Sequence, residues 1–235
     1  MYYYNLRTIL TLYIVKESKE DMSVIVLAGT IGAGKTSLSK MIAEELGSDV
    51  FYESVDNNEI LPLFYEDPEK YAFLLQIYFL NKRFKSIKEA LVHDDNVLDR
   101  SIYEDSLLFH LNADLGRATK QEVAVYDELL ANMMEELPFA ANKKHPDLLV
   151  HIKVSFETML KRIEKRNRPF EQLSYDPTLY DYYKELNQRY EKWYEDYSES
   201  PKMQIDGDKF DFIEDPNAAK LVVAEVVKEL TKIKN

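Results

Sequence analysis

The 235-residue chain has no cysteine, which excludes a disulfide, an iron–sulfur cluster and a thiol nucleophile, and this suits a cytoplasmic enzyme. Histidine is scarce: His93, His110, His145 and His151 show no metal-ligand spacing and read as structural or surface residues. Long apolar runs are missing too. The stretch Thr8 to Val15 is apolar, but at eight residues it is too short to span a bilayer. No small-residue cleavage site follows it, which argues against a secretory signal. Positive charge is in deficit, with 30 basic against 42 acidic residues and a net charge of −12. That balance speaks against DNA, RNA or an anionic membrane as partner, although a small anion can bind where basic residues are concentrated. Glycine is also rare, at six residues, so its placement is informative.

Three of those glycines fall in Gly29-Thr30-Ile31-Gly32-Ala33-Gly34-Lys35-Thr36, a complete G-x-x-x-x-G-K-[ST] phosphate-binding pattern. Ser23 to Ala28 before it reads as a buried strand, and Ser37 to Leu46 after it as an amphipathic helix. A loop between such elements aims backbone N–H groups and the helix dipole at one anion. Glycine lets the backbone close around it without a clashing Cβ. Lys35 can reach the terminal phosphates of a nucleoside triphosphate, and the Thr36 hydroxyl can sit on Mg²⁺. Met22 stands where an initiator would, and residues 1–21 are expected to be an extension outside a single domain spanning 22–235.

Further strands are expected at Asp49–Glu53, Asn96–Asp99, Asp147–Ile152 and Met203–Ile205. Helices are expected from Pro68 to about Val92, Ile102 to Leu111 and Lys120 to Leu137, then Phe156 to Arg166, Asp176 to Tyr197 and Pro216 to Ile233. Alternation of this kind predicts an α/β fold, with a parallel five-stranded sheet covered by helices on both faces.

Polar clusters fall where loops meet strand ends, the usual place for sites in such sheets. Glu53 closes the second strand and can take a proton from an attacking hydroxyl. Gln76 and Arg83 lie two turns apart on one helical face, about 10 Å along the axis. Gln76 is set among apolar residues, where a planar base edge would satisfy its amide, and Asp105 can pair with Arg83. Asp99 stands where a second carboxylate is needed near Mg²⁺, with Arg100 facing the transferring phosphoryl group. Arg162, Arg166 and Arg168 form a cationic knot suited to a lid that closes on phosphates.

Together these clusters resemble the deoxynucleoside kinase family, in its bacterial deoxyadenosine/deoxyguanosine branch. The resemblance runs from Met22 to the C-terminus. It rests on the phosphate loop, Phe51-Tyr52-Glu53-Ser54-Val55, Leu63-Phe64-Tyr65-Glu66, Gln76 with Arg83, Asp99-Arg100-Ser101-Ile102-Tyr103-Glu104-Asp105 and Arg166-Asn167-Arg168-Pro169-Phe170-Glu171-Gln172. It implies a P-loop kinase fold with an arginine-rich lid, and transfer of the γ-phosphate of ATP to the 5′-hydroxyl of a deoxynucleoside, a purine, in nucleotide salvage. It further implies that Gly29 to Ser37 hold ATP, with Asp208 and Phe210 against the donor base and Thr36 and Asp99 around Mg²⁺. Glu53 is then the base, Gln76, Arg83 and Asp105 read the nucleobase, and Tyr65 and Glu171 bind the 3′-hydroxyl. Lys35, Arg100, Arg162, Arg166 and Arg168 neutralise the transferring phosphate. A homo- or heterodimer through the helices 68–92 and 120–137 also follows from it. Asp99 departs from relatives that carry Glu there. Of the rival readings, a nucleoside monophosphate kinase would need extra cations on the acceptor side. A guanine-binding switch would need an Asn-Lys-x-Asp motif, which neither Asn81-Lys82-Arg83-Phe84 nor Asn142-Lys143-Lys144-His145 completes.

Overall fold

A computed structural model describes residues 23–53, 55, 58–141 and 145–235. The expectations placed on Met22 and on residues 1–21 lie outside these, as do Ser54 and positions 142–144 of two motifs quoted above. The sheet is built from β1 (Val24–Ala28), β2 (Val50–Phe51), β3 (Asn96–Asp99), β4 (Leu148–Lys153) and β5 (Lys202–Asp206). All pairings are parallel and the order is β2-β3-β1-β4-β5, the five-stranded sheet expected from the sequence. Because β3 and β4 flank β1, the chain reverses its winding at the centre of the sheet. The crevice above the carboxyl ends of β1 and β3 is therefore the topological place for a ligand.

Every residue of β1 is buried, since both faces of the strand are covered. Its alternation splits the core in two. Ile25 and Leu27 pack with α1 (Lys35–Leu46), α6 (Phe156–Arg166), α7 (Leu179–Asp196) and α8 (Pro216–Lys234), through Leu38, Ile42, Met159, Leu186 and Val226. Val24, Val26 and Ala28 face α3 (Pro68–Ala90), α4 (Ile102–Asp114) and α5 (Lys120–Ala141), through Leu80, Ile87, Phe109, Tyr126 and Leu137. Each such fully buried aliphatic or aromatic side chain contributes about 1.5–3 kcal/mol relative to exposure.

Several element ends differ from expectation for identifiable reasons. The β2 strand stops at Phe51, because Glu53 is drawn into ion pairs rather than into a ladder. A short helix, α2 (Ile60–Glu66), occupies a stretch to which the sequence assigned no element, and Pro62 is tolerated in its first turn. Asp67 ends it and caps α3, its carboxylate accepting from the Lys70 N–H at 3.2 Å. The helix after the lid begins at Leu179 rather than Asp176, whose side chain accepts from the Thr178 N–H instead.

Candidate active site

The loop from Gly29 to Gly34 joins β1 to α1. Gly29 has φ +145°, and a Cβ there would meet the Ile152 carbonyl at 2.7 Å. Gly34, at φ +102°, heads α1 and lies against Phe212 and Ile213, which a Cβ would meet at 3.0 Å. No other residue type fits either position without strain. Ile31, Gly32, Gly34, Lys35, Thr36 and Ser37 line a cleft of about 760 Å³, while Gly29, Thr30 and Ala33 back it. The Lys35 ammonium is buried and donates to the carbonyls of Gly29 and Thr30 at 2.6 and 2.9 Å. Burial, with Arg100 nearby, lowers its pKa to about 8, although Glu104, Asp99 and Glu53 pull the other way.

At the end of β3, Asp99 accepts from the Thr36 hydroxyl through Oδ2 at 2.6 Å, and its other oxygen is buried with no partner. Burial raises the Asp99 pKa. An orphaned carboxylate oxygen beside a hydroxyl is the donor set that a Mg²⁺ ion held partly by substrate phosphates requires. The residues therefore fit that ion. Arg100 follows with φ +97°, a left-handed conformation that a non-glycine adopts at a cost of about 1–3 kcal/mol. Its N–H donates to the Leu27 carbonyl, and its guanidinium meets Glu53 at 2.9 Å and the Tyr190 hydroxyl at 3.0 Å.

Glu53 and Arg100 line the far side of the cleft, and the structure joins them in one network to Arg83 and Asp105, which are buried behind that wall and do not themselves line it. Arg83 meets Glu53 at 3.1 Å and Asp105 at 3.2 Å, and donates to the Asp99 carbonyl at 3.2 Å. Burial alone would raise the Glu53 pKa, but Arg100 and Arg83 outweigh it and lower it to about 2. Asp105 is pushed up by burial and held down by Arg83. Gln76 is buried in the same cleft with its amide oxygen unpartnered, beside Leu61, Phe64, Leu75, Phe79 and Leu108. An amide so placed has a hydrogen bond to offer a ligand.

Tyr65 and Glu171 meet the cleft from α2 and from the turn Pro169–Glu171. The Tyr65 ring packs on Phe170 with centroids 5.1 Å apart, and burial pushes its hydroxyl pKa up. Glu171 is paired with Arg166 and with Arg168. Arg162 spans from α6 to the Ala33 carbonyl at 2.8 Å and the Gly207 carbonyl at 3.0 Å, with Asp211 at 3.7 Å. Lys165 pairs with Glu214. The segment after β5 differs from expectation. The Asp208 carboxylate accepts from the Ser155 N–H and hydroxyl at 2.6 and 3.0 Å, at the N-terminus of α6. It is Asp211, Ile213 and Glu214, rather than Asp208 or Phe210, that line the cleft among the described residues. Asn112 and Tyr182 also line the cleft, beyond the residues expected there. Helical phase carries Asn112 to the cleft seven residues after Asp105, a signal that was available. Tyr182 stands among the many tyrosines of α7 with nothing local to distinguish it.

Known proteins match the chain over nearly its whole length. The deoxynucleoside kinase family matches residues 25–232. The chain belongs to that family. It is 61% identical over 212 residues to a deoxyguanosine kinase of Lactobacillus acidophilus, covering 90% of this chain and 92% of that one. To a deoxyadenosine kinase of the same organism it is 52% identical over 214 residues, covering 91% and 99%. The solved structure of deoxyadenosine kinase from M. mycoides with bound dATP matches at a TM-score of 0.71 and 29% identity, covering 86% of this chain and 98% of that one. As a deoxynucleoside kinase, the protein transfers a phosphoryl group from a nucleotide donor to a deoxynucleoside.

Proposed function

We propose that the protein transfers the γ-phosphate of ATP to the 5′-hydroxyl of a purine deoxynucleoside, in nucleotide salvage. The observation that carries the acceptor assignment is Glu53, held between Arg83 and Arg100 where a monophosphate acceptor would need free cations. Both arginines are already neutralised, by Glu53 and by Asp105, so the acceptor side suits an uncharged nucleoside. The relatives' base preferences, guanine at 61% identity and adenine at 52%, support a purine.

In this reading Lys35 leaves its loop carbonyls to bind the donor phosphates, together with N–H groups of the loop other than those of Gly29 and Ala33, which are held by Glu104 and by the Thr30 carbonyl. Thr36 and Asp99 hold Mg²⁺, which when bound neutralises charge on those phosphates. The loop 207–214, with Ile213, lies beside the donor base. On the acceptor side Gln76 faces the base edge, with Arg83 and Asp105 completing its frame. Tyr65 and Glu171 bind the 3′-hydroxyl. The transition state is loose, so the nucleophile needs little deprotonation as the new bond begins to form. Glu53 orients the 5′-hydroxyl and accepts its proton late. A carboxylate so acidified is a weaker base than an ordinary glutamate, so orientation carries most of its contribution. Arg100, Arg162, Arg166 and Arg168 clamp the transferring charge, the last two by exchanging Glu171 for phosphate.

The net charge of −12 favours a small deoxynucleoside over a polynucleotide. The lack of cysteine fits a cytoplasmic location. Among the described residues no helix is long and apolar enough to cross a membrane. Exposed Leu74 on α3 and Val125 on α5 fit a dimer interface with a second or a related chain. The decisive experiment is phosphate transfer from Mg·ATP to dA, dG, dC, dT, adenosine and dAMP. Purine deoxynucleosides should react fastest, and turnover of dAMP alone would overturn the assignment of the acceptor side.

A further inference from the structure

Glu104 lies in the first turn of α4 and is wholly buried. Three residues after Ser101, it completes a capping box, its Oε2 accepting the Ser101 N–H at 2.8 Å. Capping needs only that one oxygen. The other, Oε1, points out of α4 and accepts the Gly29 N–H at 2.9 Å, the first amide of the phosphate loop. It also accepts the Tyr190 hydroxyl at 2.8 Å, and Arg100 Nη1 lies 3.6 Å away. The Tyr190 hydroxyl in turn accepts from the same Arg100 nitrogen at 3.0 Å. Tyr190 is itself held in place, stacked on His151 of β4 with ring planes 7° apart. One carboxylate thus joins the end of β1, the end of β3 and the middle of α7 at the point where the sheet reverses.

We propose that Glu104, steadied by Tyr190, is a positioning residue that fixes the first amide of the phosphate loop and the Arg100 guanidinium in one rigid frame. Arg100 needs such support, since its backbone is held at φ +97° and its side chain must face the phosphoryl group. A carboxylate is the required chemistry. Its two oxygens only accept, and three donors (two backbone N–H groups and a hydroxyl) converge on them. An amide of the same shape would turn a donor toward one of the two backbone N–H groups whichever way it was flipped, and would remove a negative charge beside Arg100.

The test compares Glu104→Gln, Tyr190→Phe and their double variant with Ser101→Ala, which breaks the hydroxyl half of the same cap. Each is followed by kcat, by KM for ATP and for the deoxynucleoside, and by thermal unfolding. Glu104→Gln should lower kcat by about tenfold or more and raise KM for ATP, because phosphate and arginine fall out of register. KM for the deoxynucleoside should hold within about twofold. Tyr190→Phe should show the same split at smaller size, and it serves alone if Glu104→Gln does not fold. The double variant should lose less than the product of the single losses. A kcat within about twofold of wild type for Glu104→Gln would overturn the inference. So would an equal loss in Ser101→Ala, or a uniform loss that tracks thermal stability. The inference rests on the donor reading of the cleft, and Lys35→Ala separates the two. An active Lys35→Ala sinks that reading, whereas an inactive one beside a normal Glu104→Gln sinks only the role of Glu104.

Discussion

The two halves of the cleft are built by different physics. The donor half is local and backbone-rich. Gly29 to Thr36 are consecutive, their N–H groups make the cradle, and the Asp99 oxygen beside it is left without a partner. The acceptor half is assembled from side chains on the segment after β2, on α2, α3 and α4, and on the turn after α6. Its charges cancel one another before any ligand arrives, Glu53 against Arg83 and Arg100, Asp105 against Arg83, and Glu171 against Arg166 and Arg168. A backbone cradle with Lys35 at its head suits any triphosphate, whereas an acceptor wall whose Arg83 and Arg100 are already neutralised admits an uncharged alcohol and resists a second anion. Chemistry is thus shared between a general half and a selective one.

The sharpest way to break that division is to remove the charge that balances the acceptor half. Glu53→Gln keeps the shape but frees two arginines, and should lower kcat by about 10²–10⁴ while deoxynucleoside affinity changes far less. Steady-state kinetics on the purine substrate reads both. The same variant carries a signature in acid. The Glu53 pKa falls from 4.5 to about 2 on folding, so its carboxylate stabilises the native state above about pH 4.5 and loses that effect as the pH falls toward 2. Acid unfolding should therefore show wild type and Glu53→Gln converging over that window. A gap that stayed constant would mean Glu53 is not ion-paired in solution.

Next in size is Arg83→Ala. It leaves Asp105, 1% exposed, as a buried carboxyl without its partner, which should cost about 3–5 kcal/mol in denaturant unfolding. Arg83→Lys should recover only part of this, because an ammonium cannot serve Glu53, Asp105 and the Asp99 carbonyl with one planar fork. The ranking of dA against dG should shift in both variants. An unchanged ranking would take Arg83 out of base recognition and leave it a structural role.

This contrast also explains what the sequence discloses. A donor half made of consecutive residues can be read as a string, and the strand, loop and helix around Lys35 stand where the pattern puts them, as does Asn96–Asp99 before Arg100. The pairing of Arg83 with Asp105 was legible because helical phase and polarity converge on it. The triple use of Glu104 was not. Its partners Gly29 and Tyr190 lie 75 and 86 residues away, and only the cap to Ser101 is local. The place of Asp208, which the resemblance puts against the donor base, is not legible locally either: its bonds go to Ser155, 53 residues away, at the open N-terminus of α6. The α2 helix was missed because it carries a proline and is shorter than the window in which periodicity shows.

Sugar selection gives a smaller and more specific effect. If Tyr65 and Glu171 hold the 3′-hydroxyl, a 3′-deoxy analogue leaves buried polar groups unsatisfied, at about 1–3 kcal/mol each. With two such groups the kcat/KM should fall by at least about thirtyfold, and Tyr65→Phe should narrow the gap between the two substrates. Equal turnover of both would remove these residues from the sugar site.

The smallest effect belongs to the outer edge of the lid, where the Lys165–Glu214 pair is exposed. Lys165 and Glu214 are 69% and 59% accessible, so their pairing should contribute about 0–1 kcal/mol at most. Glu214→Gln loosens one tie between α6 and the loop beside Gly34 without touching Arg162, which stays on the Ala33 and Gly207 carbonyls. KM for ATP should move by less than about threefold, and the difference should vanish as salt screens the pair. Glu53→Gln should keep its defect at the same ionic strength, because its arginines are 5% and 6% exposed and screening barely reaches them. A lid variant as damaging as the buried one, or a buried one rescued by salt, would show that the two halves are not electrostatically distinct.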